Sequence, residues 1–175
     1  MKHLNKIILL PLLVLLSLIS CKKEKAEPQL PPATMEGKNT FGALVNGKVW
    51  LPKGRPNFYQ SNLSVVYDPG DAGGNLNIIA YRHKEAEEYL SIVMTQVDHI
   101  GTYSLDNVEL GTGAFKSVPG CDYELVPDVE RSGKLEITKL DLTNGIIAGK
   151  FEFTLAKPGC DTIRVTEGRF DKKLF

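Results

Sequence analysis

The sequence predicts an all-β protein, an antiparallel β-sandwich or partly closed barrel of about eight to ten strands. Three observations carry this reading. Two Asn-Gly dipeptides, Asn46-Gly47 and Asn144-Gly145, each sit between apolar runs. Both residue types tolerate φ > 0, so the pattern marks tight hairpin turns. Short runs elsewhere alternate apolar and polar residues, the period of a half-buried strand. No longer stretch carries the 3.6-residue period of a helix.

Bulk properties narrow the class. The chain has 175 residues, with 42% hydrophobic and 24% charged. That is ordinary for one folded domain and excludes wholesale disorder, collagen-like repeats and a multi-span membrane protein. Lys plus Arg equals Asp plus Glu at 21 each, so no bulk positive charge is available for nucleic acid.

Residues 1–20 read as a signal peptide. Lys2, His3 and Lys6 make a basic start, and residues 7–16 are almost unbroken apolar sequence. The run is short for a transmembrane helix and has the layout of a secretory signal. Its end, Leu18-Ile19-Ser20-Cys21, resembles a bacterial lipobox. The resemblance implies a diacylglyceryl thioether on Cys21, cleavage before it and acylation of the new amine. Its thiol is the nucleophile that takes the lipid, and two or three acyl chains anchor stably where one is marginal. The membrane is therefore an expected partner through Cys21. Cleavage removes two of the 21 basic residues, Lys2 and Lys6, and leaves a net charge of about −2.

Residues 21–38 hold the lipidated cysteine and a Pro/Lys/Glu-rich flexible linker, stiffened by Pro28, Pro31 and Pro32. Residues 39–175 form a single β domain, long enough to bury its own core.

Its first hairpin turns at Asn46-Gly47. Leu44 then faces Val49, with Leu51 beyond. Phe41, Ala43, Val45 and Trp50 fall on the other face, so both faces are apolar and both are expected to be covered. Further strands are expected over residues 63–67, 75–82, 89–96 and 162–166, separated by turn signals. Residues 83–88 are the best helical candidate, about two turns long. In the second hairpin, Ile147, Phe151, Phe153 and Leu155 share a face. A two-residue turn matches Leu140 and Leu142 to it but puts Leu135 and Ile137 on the wrong side. One extra residue near Thr138-Lys139 restores them, which predicts a β-bulge there.

Cys121 and Cys160 each sit in the tetrapeptide Pro-Gly-Cys-Asp. Two cysteines in an exported chain are most simply a disulfide, the alternative being two free buried thiols. Zinc is disfavoured, because only His83 and His99 remain to join them and neither has ligand spacing.

Chemistry is sparse. No nucleophile elbow, HExxH, P-loop or Gly-rich dinucleotide signature is present. Glu85, Glu87 and Glu88 read as a charged loop. Asp68, Asp71 and Asn75 offer oxygens in a Gly-rich loop, without EF-hand spacing. The expectation is no catalytic residue, no cofactor and no metal. Phe58 and Tyr59, after Gly54-Arg55-Pro56-Asn57, are the candidate ligand-binding pair on a loop. Coplanar exposed rings there would favour sugar stacking.

Residues 41–50 (Phe41-Gly42-Ala43-Leu44-Val45-Asn46-Gly47-Lys48-Val49-Trp50), Ile137-Thr138-Lys139-Leu140-Asp141, Gly149-Lys150-Phe151-Glu152-Phe153 and Thr166-Glu167-Gly168-Arg169-Phe170-Asp171 resemble one family. It is a group of uncharacterised Bacteroidota lipoproteins that share a domain of unknown function. The likeness runs from about residue 39 to the end. It implies a lipobox-anchored β domain at the outer membrane and transfers no activity, cofactor or catalytic residue. Lys22-Lys23-Glu24-Lys25 only partly matches that phylum's acidic surface-export signal, so cell surface and periplasmic face both stay open. The expected role is a non-enzymatic domain that binds an unknown protein or glycan. The alternatives are a carbohydrate-binding accessory protein and a glycan-processing enzyme.

Overall fold

A computed structural model describes residues 27–175 except 56, 84–86, 118–120 and 125. Cys21 and the expected signal peptide lie outside the described residues, as do Glu85 and the Pro119-Gly120 turn. The described chain contains twelve strands and no helix. In order they are β1 (Thr40–Val45), β2 (Lys48–Trp50), β3 (Leu63–Asp68), β4 (Asn75–His83), β5 (Glu87–Met94) and β6 (Gly101–Ser104). Then come β7 (Asp106–Asn107), β8 (Gly111–Ser117), β9 (Cys121–Tyr123), β10 (Glu130–Asp141), β11 (Ile146–Ala156) and β12 (Ile163–Lys173).

The strands make two antiparallel six-stranded sheets, a sandwich and not a closed barrel. One sheet has the order β2-β1-β12-β11-β10-β6. The other has the order β3-β4-β5-β8-β7, with β9 also on β8. Alternation builds the core between them. Leu76, Ile78, Ala80, Leu90 and Ile92 of the second sheet are fully buried, as are Leu135, Ile137 and Ile147 of the first. Phe41 stacks on Phe151 at 5.3 Å and meets Trp50 edge-on at 6.2 Å. Leu105, also buried, carries the chain from one sheet to the other, and its amide is held by the Gly133 carbonyl at 2.9 Å.

The first turn is as the sequence predicts. Asn46 and Gly47 have φ of 47° and 76°, and Leu44 pairs with Val49. Phe41, Ala43 and Trp50 face the core, while Leu44, Val49 and Leu51 are half-buried outside. Cover on that outer face comes from upstream. A Cβ at Gly42 would lie 2.8 Å from both Pro31 and Leu51, so only glycine fits beneath them.

The bulge is also present. Ile137 pairs with Gly149 and Lys139 with Ala148, leaving Thr138 as the extra residue. The turn differs from the expected two-residue type, because Asp141 pairs with Ile146 across a four-residue loop. The shift is two positions, so parity is kept, and Leu140 takes the place opposite Ile147 that a two-residue turn would give to Leu142. Leu142 leaves the ladder and is exposed. Asp141 causes this by accepting from both the amide and the side-chain nitrogen of Asn144 at 3.0 Å.

Two further expectations change. Residues 83–88 are not helical where described, since Arg82 pairs with Glu88 and His83 with Glu87 in a hairpin. Part of the expected flexible linker is docked. The buried Asp171 carboxylate accepts from the Thr34 hydroxyl at 2.6 Å and from the amides of Glu36, Gly37 and Lys38 at 2.7–3.2 Å.

Candidate functional site

Phe58 and Tyr59 lie on the loop between β2 and β3, as the sequence places them. They are 83% and 92% exposed, far above what packing requires of aromatic rings. The loop is nonetheless bonded to β4 at its start and turned locally at Asn57. At its start, Lys53 donates its amide to the Tyr81 carbonyl at 3.0 Å and accepts from the His83 amide at 2.7 Å. Farther along, the Asn57 side-chain oxygen accepts from the amides of Tyr59 and Gln60 at 2.9 and 3.1 Å. This is the local turn that asparagine favours. The two rings meet edge to face at 5.4 Å and 87°. They therefore do not form the coplanar platform that sugar stacking asks for.

Beside Tyr59 runs a groove of about 480 Å³ whose walls include Ser61, Val65, Tyr81, Lys172 and Leu174. Lys53 and Arg55 are exposed on the loop, and no acidic residue occurs between Leu51 and Tyr67. The surface is thus aromatic and basic. A second groove, of about 330 Å³, lies at the loop's foot. There Gln29 and Pro31 adjoin Leu51, Pro52, Asn62 and Leu63.

The cysteines meet. Cys121 in β9 and Cys160 in the β11–β12 loop are disulfide-bonded, with Cα atoms 5.9 Å apart. The bond ties an edge of one sheet to a turn of the other. The Tyr123 hydroxyl donates to the Asp161 carbonyl, and Lys157 Nζ donates to the Asp122 carbonyl at 3.2 Å across the same seam.

Other candidates are occupied by structure. In residues 68–75, Asp68 accepts from the Gly70 amide at 2.9 Å, and Asp71 accepts from the Asn75 side chain at 2.8 Å. These oxygens cap their own turn. Among the described residues, no group of three or more His, Cys, Asp or Glu could hold a metal. On the outer face of the first sheet a cleft of about 430 Å³ gathers charged residues. Two of its carboxylates are ion-paired, Glu152 with Lys134 at 3.1 Å and Glu167 with Arg169 at 3.3 Å.

Glu88 is the residue that sequence reasoning misplaced. It shares the inward parity of Leu90 and Ile92 and accepts from Trp50 Nε1 at 3.1 Å and Arg82 Nε at 2.7 Å. The Arg82 guanidinium lies 5.4 Å from the Trp50 ring centre. The signal was an arginine six residues before a glutamate around a hairpin, which only the register makes a pair.

These features define a disulfide-stapled β-sandwich that displays an aromatic, basic loop. The chain belongs to the family described as a domain of unknown function, DUF6252, matched over residues 57–172. The match begins after β1 and β2, although β1 lies inside the first sheet beside β12. No curated protein and no solved structure gives a significant match to the chain.

Proposed function

We propose that this chain is a lipid-anchored, non-enzymatic binding domain of the outer bacterial envelope. The observation that carries the reading is the exposed Phe58-Tyr59 pair on a loop bonded to β4 at Lys53 and turned at Asn57. Two adjacent large rings left in water make an exposed apolar patch of the kind that marks an interaction site. A pre-ordered loop also loses little entropy on binding. The lipobox-like sequence ending at Cys21 supports anchoring.

The test is metabolic labelling with an alkynyl fatty acid, joined to a hydrolase panel. Label is expected on the native chain and lost in Cys21→Ala. Absence of label from the native chain defeats the anchor. Turnover of any panel substrate defeats the non-enzymatic role. Protease shaving of intact cells then assigns the domain to the cell surface or the periplasmic face.

A further inference from the structure

We infer that the Phe58-Tyr59 loop rests on the bilayer surface itself, with its rings among the headgroups and Lys53 and Arg55 against anionic lipid phosphates. The inference rests on the reading that Cys21 is lipidated.

Three observations converge on this loop. The first is its chemistry. Aromatic rings with adjacent cations suit the interfacial zone, where an apolar ring body and a charged head are both satisfied. From Leu51 to Tyr67 the chain offers Lys53 and Arg55 and no carboxylate to repel an anionic surface. Lys172, in the adjoining groove, adds a third cation. The second is ring geometry. An edge-to-face pair at 87° presents no flat stacking face for a sugar, yet two differently inclined rings insert into a disordered headgroup layer equally well.

The third is where the tether arrives. The four hydrogen bonds to Asp171 hold residues 34–38 on the domain, and Leu30 and Pro31 pack over Gly42. Attachment to the domain therefore begins near Gln29 and not at residue 39. Gln29 and Pro31 sit beside Pro52 and Asn62, the two feet of the aromatic loop. Gln29 lies eight positions after Cys21 in the sequence. Fully extended, that stretch spans at most about 29 Å. The loop is thus held close to the membrane on the side where the anchor enters.

The experiment uses the full-length lipidated protein carrying Phe58→Trp, reconstituted into phosphatidylethanolamine–phosphatidylglycerol vesicles with lipids brominated near the headgroup. Trp50 is 1% exposed and serves as the internal reference in the native chain. The expected result is a blue-shifted position-58 emission that the brominated lipids quench several-fold, with native emission unchanged. In unanchored protein beginning at Lys22, changing each of Lys53 and Arg55 to Gln should lower partition onto phosphatidylglycerol vesicles about 5-fold. If the protein floats with vesicles while position 58 emits as in water and escapes quenching, the loop faces away and the inference falls with anchoring intact. If the protein does not float, the anchor reading fails and takes the inference with it. A protein adduct from a photo-crosslinker at position 59, with no lipid quenching, would instead give the loop to a protein partner.

Discussion

The Thr34 hydroxyl donates a 2.6 Å hydrogen bond to Asp171 Oδ2, joining residues 137 positions apart. With the three neighbouring amides it surrounds a carboxylate that is 1% exposed. Burial pushes the Asp171 carboxyl up, but the bonds from Thr34 and from the amides of Glu36, Lys38 and Gly37 outweigh it and hold it below the usual carboxylate range. Bonds to an ionised acceptor are the strong kind, and removing the acceptor strands every donor.

Asp171→Ala should therefore destabilise the domain by about 3 kcal/mol in urea titration. It should also open residues 34–38 to limited proteolysis at Lys38. Because the folded carboxyl is depressed, its contribution is complete above the unfolded value near 4 and is lost as pH falls below it. Asp171→Asn should flatten that acid limb of the stability curve. An unchanged limb would mean the carboxylate is not held as described.

Loss of the disulfide should weaken the seam between the sheets. The loop it closes spans 39 residues. On the chain-entropy model that is worth roughly 4 kcal/mol, an upper figure. Cys121→Ser with Cys160→Ser should lower the urea midpoint accordingly and leave the strand content unchanged by circular dichroism. An unshifted midpoint would show that Tyr123 and Lys157 hold the seam alone.

Deleting Thr138 should be far more damaging than deleting Thr143. Without the bulge, a straight ladder turns Leu135 and Ile137 from the core to solvent. Each lost buried aliphatic side chain costs about 2–5 kcal/mol, so the deletion should leave an unfolded chain by thermal melt. Deleting Thr143 shortens a four-residue loop and keeps the ladder. Equal effects would refute the role of the bulge.

Asp141 supplies a local titration test. Bonds from the Asn144 side chain and amide, and then from Lys139, lower its carboxyl to about 2. In an NMR titration Asn144→Ala should raise it toward the ordinary range. The stability it adds is present above the unfolded value and fades as pH drops toward 2, so the variant should lose less on acidification.

The hairpin turn at Asn46-Gly47 and the bulge at Thr138 were readable in the chain because turn chemistry and side-chain parity are local. The four-residue turn at 142–145 was not, because Asp141 capping competes with the Asn-Gly signal. β7 and β9, two and three residues long, escape any periodicity test. β12 runs on past Thr166 to Lys173 through a bulge that leaves Glu167 at φ 50°, and its charged residues hide the strand. Phe58 and Tyr59 were found because aromatic residues in a Gly- and Pro-marked loop stand out. Their perpendicular geometry was beyond sequence.

The sequence by itself determined an all-β domain, its two Asn-Gly hairpins and the pair of cysteines available to each other. Each follows from backbone preferences and a period of two, which neighbouring residues settle among themselves. Only the tertiary structure decided that Glu88 turns inward to Trp50, that Asp171 captures residues 34–38, and that Gln29 lies at the foot of the aromatic loop. Those are pairings between distant segments, and they exist only once two sheets have closed over a shared core.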